Sequence, residues 1–196
     1  MNLLLRYSPI TVLAASLLLL TPPTLQAQTT YKIDAKASSV IYAMSHAAHD
    51  WEGTSKSASG KVVLGADTMP QRIEVKIPVL SFDSGNRNRD SNMAETVEFY
   101  LFPDVVFTSN TITPVDSVSA ADSSAGTSWR IEGTLTFHGV TKPVTSVAAI
   151  TRTNDGLTAE GAFEVKITDF DIKPPSLLMV KVKDWIKLTY TFTAKP

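Results

Sequence analysis

The sequence predicts an all-β protein: an eight-stranded antiparallel barrel with one short helix. Three observations carry this. Apolar and polar residues alternate with period two along most of the chain, turn signals recur at short spacing, and one segment departs from the alternation. Successive side chains of a strand point to opposite faces, so such alternation makes one apolar face and one wet face. Antiparallel sheets read this way, whereas parallel strands buried on both faces read as continuous apolar runs.

The elements follow in chain order. Residues 1–27 read as an export signal: Arg6 is the only charge, "ITVLAASLLLL" (Ile10–Leu20) is an apolar run, "TPPT" breaks it, and "LQA" offers cleavage after Ala27. The run is short of the roughly 20 apolar residues of a membrane span. With no Cys for lipid attachment, the expected mature chain is residues 28–196, one domain without stable membrane insertion, in the periplasm or secreted. An uncleaved N-terminal anchor is the alternative.

In "SSVIYAMSH", Val40, Tyr42, Met44 and His46 share a face. In "PQRIEVKIPV", Ile73, Val75 and Ile77 oppose Arg72, Glu74 and Lys76. "SGNRNRDSNMAETVEFYLFPD" (84–104) breaks the pattern. It opens with turn residues and then predicts a helix from about Asn88 to Val97, capped by Asp90 or Ser91. "TPVDSVSAADSSAGTS" (113–128) is small and polar, a flexible hairpin loop. In "SWRIEGTLTFHG", Trp129, Ile131, Leu135 and Phe137 face one way. In "GLTAEGAFEVKITD", so do Leu157, Phe163, Val165 and Ile167, and in "WIKLTYTFTAKP", Ile186, Leu188, Tyr190 and Phe192. "GAD" (65–67), "HGVTKP" (138–143) and "NDG" (154–156) mark turns. Gly133 and Gly161 fall inside strands, where bends or bulges let a sheet curl. Closure into a barrel removes sheet edges; a sandwich is the alternative.

Composition excludes several classes. Of 18 Lys+Arg and 19 Asp+Glu, removing Arg6 leaves 17 against 19, a formal charge of −2 on residues 28–196. That provides no electrostatic case for nucleic acid. Zero Cys excludes disulfides, thiolate metal sites and thiol catalysis. No G-x-S-x-G elbow, phosphate loop or isolated carboxylate pair appears, so no catalytic residue is assigned.

The inward residues Tyr42, Met44, Ile77, Leu135, Phe137, Phe163, Val165, Leu188 and Tyr190 are bulky and nearly uncharged. They either fill the barrel or line a cavity for an apolar tail. Each buried CH₂ is worth about 0.8 kcal/mol, so ten carbons supply on the order of 8 kcal/mol before binding costs. Phe99, Tyr100, Leu101 and Phe102 form an apolar run that cannot all face one core. Phe99 and Leu101 are candidates for a tunnel mouth; the alternative is packing of the helix onto the barrel. "DSGNRNRD" (83–90) is rich in groups that bind a headgroup or a phosphate, but turns and caps routinely consume such residues, so it reads mainly as structural, with Arg89 and a carboxylate pinning the helix to the sheet. His138 reads as a structural turn residue.

His46 and His49 are three apart, which on a continuing strand puts them on opposite faces. Asp50 then shares the His46 face only at about 13 Å along the strand. A shared metal needs a turn at Ala47–Ala48 and further ligands. No metal or resident cofactor is therefore assigned, and His46 is expected to be a polar group at the barrel rim or interior. A metal or catalytic center of His46, His49 and Asp50 is the alternative.

Several stretches resemble the YceI-like, polyisoprenoid-binding family in order and spacing: "YKIDAKASSVIYAMSH", "FDSGNRNRD", "FPDVVF", "GTLTFHGVTKPV" and "DFDIKPPSLLMVKVKD". The resemblance covers almost all of residues 28–196. It implies an extended lipocalin-like barrel with an interior tunnel that holds an isoprenoid, quinone-like or other long-tailed amphiphile, without catalysis. Members are commonly exported to the periplasm. Relatives sharing "MSHxxHxW" commonly carry a further His in the "RDSxM" helix, where this chain has Asn92. The expected partner is an amphiphilic lipid, and a tunnel mouth with apolar surface admits a homodimer.

Overall fold

The computed structural model describes residues 28–46, 49–65, 69–115, 127–177 and 180–196. The export signal, the turn core at 66–68 and most of the 113–128 loop lie outside the described residues. Where that loop's flanks are described, Val115 N–H donates to Ser128 O at 2.8 Å, so it joins two paired strands.

Twelve strands are described: β1 (Thr29–Ile33), β2 (Ser39–Ser45), β3 (Asp50–Ser55), β4 (Ser59–Leu64), β5 (Pro70–Pro78), β6 (Asp104–Pro114), β7 (Thr127–Phe137), β8 (Val140–Thr153), β9 (Gly156–Lys166), β10 (Ser176–Leu177), β11 (Val180–Lys181) and β12 (Trp185–Lys195). The helix is α1 (Arg87–Thr96). β1 and β2 are halves of one long strand, broken by a 3₁₀ turn at Ala35–Ala37 that Asp34 caps. β3 and β4 form the next long strand. With β5, β6, β7, β8, β9 and β12 they make an antiparallel barrel of eight strands, closed where β12 pairs with β1 and β2. Strands adjacent in the chain are adjacent in the ring, an up-and-down barrel. Lys195 Nζ donates to Asp34 Oδ2 across the closing seam at 2.7 Å, which holds the Asp34 carboxyl below its usual range.

The period-two faces are realised. Val40, Tyr42, Val75, Ile77, Ile131 and Leu135 are buried, while Arg72 and Lys76 face solvent. β7 and β8 turn on His138 and Gly139, both at positive φ (50° and 73°), as a two-residue hairpin requires. Of the two strand glycines, Gly161 differs from expectation. Gly161 pairs in regular register with Tyr190, so there is no bulge. A Cβ there would lie 2.4 Å from the Tyr190 hydroxyl, so the glycine makes room for the neighbouring ring. Near Gly133 the register does shift, between Ser109 and Thr111 on β6.

The α1 cap also differs: Asn86, not Asp90 or Ser91, accepts from the Asn88 and Arg89 N–H groups. Asp90 instead accepts from the Ser84 amide and hydroxyl. Antiparallel alternation places the β2–β3 turn, the β5–β6 connection with α1, the His138 turn and the β9–β12 connection with β10–β11 at one end of the barrel. Among the described residues no helix is long and apolar enough to cross a membrane.

Candidate functional site

The inward faces do not close on one another. They leave a cavity of about 620 Å³ that runs from the α1 end into the barrel. Its deep wall is apolar, with Ile73, Ile150, Leu157, Ala159 and Phe192 toward the far end. Tyr42, Met44, His46, Ile77, Leu135 and Phe137 line it, as do Phe163, Val165, Leu188 and Tyr190.

Phe99 and Leu101 do not line it. Glu98 takes a positive φ of 48° just after α1, and the Leu101 and Phe102 N–H groups both donate to its carbonyl. That tight turn leaves Leu101 70 % exposed and Tyr100 75 % exposed. Phe99 meets the Tyr100 ring at a tilt (centroids 3.8 Å apart) and packs against the core cluster beneath α1. His138 locks the turn in place: one ring nitrogen meets Phe170 O at 2.9 Å and the other Glu98 Oε2 at 3.0 Å.

The histidines correct the opposite-face reading. β2 stops at Ser45, and the His46 N–H donates to His49 O at 2.9 Å, so the two histidines face each other as the next pair beyond the β2–β3 ladder; the bend proposed at Ala47–Ala48 lies outside the described residues. Both rings reach the cavity with centroids 5.9 Å apart, and His49 lies 5.5 Å from the Trp51 ring. Asp50 opens β3 opposite Ser45, accepts a hydrogen bond from its hydroxyl, and is exposed rather than beside His46. A center of His46, His49 and Asp50 is therefore not assembled. Among the described residues no three His, Cys, Asp or Glu side chains gather as a metal site.

Sequence reasoning favoured a structural role for residues 83–90 over a headgroup-binding one and named none of α1's residues as lining the site. Asn86, Asn88, Arg89, Asn92, Met93 and Thr96 reach the cavity from the helix and its cap. Arg89 was expected to hold a carboxylate; its Nε donates to Ser84 Oγ (2.9 Å) and its Nη2 to Ser84 O (2.8 Å). Its guanidinium also sits 5.8 Å from the Trp51 ring centroid. The only legible signal was the density of Asn and Arg in "GNRNRDSN", which turns and caps explain equally well.

Two phenols sit in the wall. Burial raises the Tyr190 pKa, and its hydrogen bond to Ser146 (2.8 Å) works weakly the other way. Burial also raises that of Tyr42, with a smaller push from the Asp90 charge that Arg89 counters. Trp51 and Ser84 approach the Tyr42 hydroxyl, but among the described residues no group meets it in hydrogen-bonding geometry. Such a wall offers neutral, largely apolar contact, suited to holding a tail.

The YceI-like domain matches residues 31–194. Protein YceI of Salmonella newport is 30 % identical over 172 residues, covering 81 % of this chain and 83 % of the relative, and Protein YceI of Salmonella arizonae matches to the same extent. BcnA of Burkholderia cenocepacia superposes with a TM-score of 0.70 at 21 % identity, over 83 % of this chain and 99 % of that one. A polyisoprenoid binding domain from Saccharophagus degradans, implicated in plant cell wall breakdown, superposes at 0.66 and 17 % identity, over 84 % and 97 %. At those identities the two structures share the fold.

Proposed function

This chain belongs to the YceI-like domain family, and from that premise we propose that it is a periplasmic, non-enzymatic binding protein for an isoprenoid, quinone-like or other long-tailed amphiphile. The observation that carries the reading is the apolar cavity of about 620 Å³ inside a closed barrel. It falls in the range of small-molecule sites, about 300–1,000 Å³. A methylene takes about the space of a water molecule, roughly 30 Å³, so the cavity takes on the order of 20 of them. At about 0.8 kcal/mol per CH₂ the gross gain is on the order of 16 kcal/mol, from which the costs of immobilising ligand and wall are subtracted. The polyisoprenoid binding named for the Saccharophagus degradans domain supports the same ligand class. The export signal at residues 1–27 supports the periplasmic location.

The test is to extract the purified protein with organic solvent and weigh the extract by mass spectrometry. A long-tailed amphiphile at near stoichiometry is expected, and the stripped protein should take up an added quinone or fatty acid. A protein that yields no lipid and takes up neither would sink the reading. Phe163→Glu, in the cavity wall, should abolish uptake in protein that keeps its strand circular dichroism. Thr189→Glu, on the wet face of β12, should not. Fractionation of the cells settles the location.

A further inference from the structure

Resting on the amphiphile reading above, we propose that the cavity mouth selects an anionic headgroup, a carboxylate or phosphate ester on a long tail, with Arg89 as the selecting residue. Among the described residues, Arg89 is the one fully charged side chain in the cavity lining, which contains no Asp, Glu or Lys. The other polar side chains beside it at the same end include His46 and His49, which flank the β2–β3 connection, and Asn86, Asn88, Asn92 and Thr96 of α1 and its cap.

Three features make Arg89 an available cation rather than a structural one. It forms no ion pair with the described carboxylates, in contrast to Lys61, Lys76 and Lys195, which do. Asp90, its neighbour in the chain, is engaged by Ser84 and faces a separate small hollow with Val79, Leu80 and Ala94. The bonds to Ser84 use only two of the five guanidinium donors. Those bonds and the Trp51 ring fix the plane of the fork, so little side-chain freedom is left to lose on binding an anion.

The helix end does not supply the contact. Asn86 Oδ1 already accepts from the N–H groups of Asn88 and Arg89. Selection therefore falls to a side chain at the border of an apolar wall, where a charge pair is screened less than in water. A fork of N–H donors matches two oxygens of a carboxylate or phosphate. A cationic headgroup on the same tail meets Arg89 without a compensating acid.

Palmitate, hexadecyl phosphate, hexadecanol and hexadecylammonium share one tail and differ in headgroup. Their affinities for the delipidated protein are read by displacement of a fluorescent fatty-acid probe. Palmitate or hexadecyl phosphate should bind at least about tenfold more tightly than hexadecanol, the size of one charge-assisted hydrogen bond, and hexadecylammonium more weakly than hexadecanol. Whichever anion binds more tightly identifies a fatty acid or a lipid phosphate as the source. Arg89→Gln should collapse the ratio of anion to alcohol affinity to within about twofold. Arg72→Gln, on the outer face of β5, should leave the ratio as it is. The ratio compares ligands on one protein preparation, so partial misfolding cancels. Equal affinity for acid and alcohol in the natural protein, or a ratio that survives Arg89→Gln, overturns the proposal while leaving tail binding intact. If none of the probes binds, hexadecanol included, the amphiphile reading falls with it.

Discussion

Ala159→Phe should shorten the longest tail the barrel can hold. Ala159 lines the cavity on β9 and pairs across the sheet with Phe192 on one side and Ile150 on the other, away from the α1 end. A benzyl group there adds six ring carbons to a space that holds on the order of 20 methylenes, at roughly 30 Å³ each. A tail that reaches Ala159 loses room for about six carbons. At about 0.8 kcal/mol per CH₂ the upper bound on lost affinity is about 5 kcal/mol. A tail that backs out toward the mouth keeps its remaining contacts, so the loss grows with each carbon beyond the new limit. Tails too short to reach Ala159 lose nothing. The assay is displacement of a fluorescent probe by a series of saturated fatty acids of rising length. In the natural protein affinity should climb to on the order of 20 carbons; in the variant the climb should stop about six carbons earlier. Overpacking costs about 1–3 kcal/mol of stability, which thermal unfolding reports separately. An unchanged break point would show that the tail does not run into the barrel. An equal loss at every length would show that the ring disturbs the fold and not the tail site.

Other outcomes follow from the buried phenols. Tyr42→Phe removes a buried hydroxyl that no group among the described residues satisfies, so the variant should gain about 1 kcal/mol. In a domain of this size that raises Tm by about 2–4 °C; a loss of similar size would mean that the hydroxyl is partnered. Burial raises the folded pKa values of both Tyr42 and Tyr190 above the ordinary phenol range. The folded state holds those protons more tightly, so this contribution is complete below the unfolded pKa and is lost as pH rises through the raised folded value. Stability should therefore fall as pH rises from the ordinary phenol range toward the raised folded values. In an absorbance titration Tyr190→Phe should remove part of the late phenolate phase, and a late phase of unchanged amplitude would refute the assignment.

Much of the barrel was legible because strand faces are a local property. Val40, Tyr42 and Met44, or Ile186, Leu188 and Tyr190, point inward wherever their strands lie in the ring, since period two does not depend on which strand is the neighbour. What alternation cannot say is whether opposed inward faces touch. The same Phe163 and Leu188 would fill a tighter barrel or line the cavity seen here. That depends on strand number and tilt, and on which rings lie over which glycines, as Tyr190 does over Gly161.

The sequence by itself determined the fold class, the His138–Gly139 hairpin and the inward faces of the strands. Each rests on a pattern within one strand or one turn. Only the tertiary structure decided the character of the mouth. His46 and His49 meet because β2 ends at Ser45 and they pair across from each other beyond the Ser45–Asp50 pair, an arrangement that alternation along one strand does not show. Leu101 points to solvent because Glu98 turns the chain behind α1 and His138, forty residues on, locks that turn. Arg89 comes to the cavity because Asn86 starts the helix and Ser84 holds the guanidinium over Trp51. These positions depend on contacts between segments far apart in the chain, so the polar end of the site emerges from packing while its apolar depth was already written in the alternation.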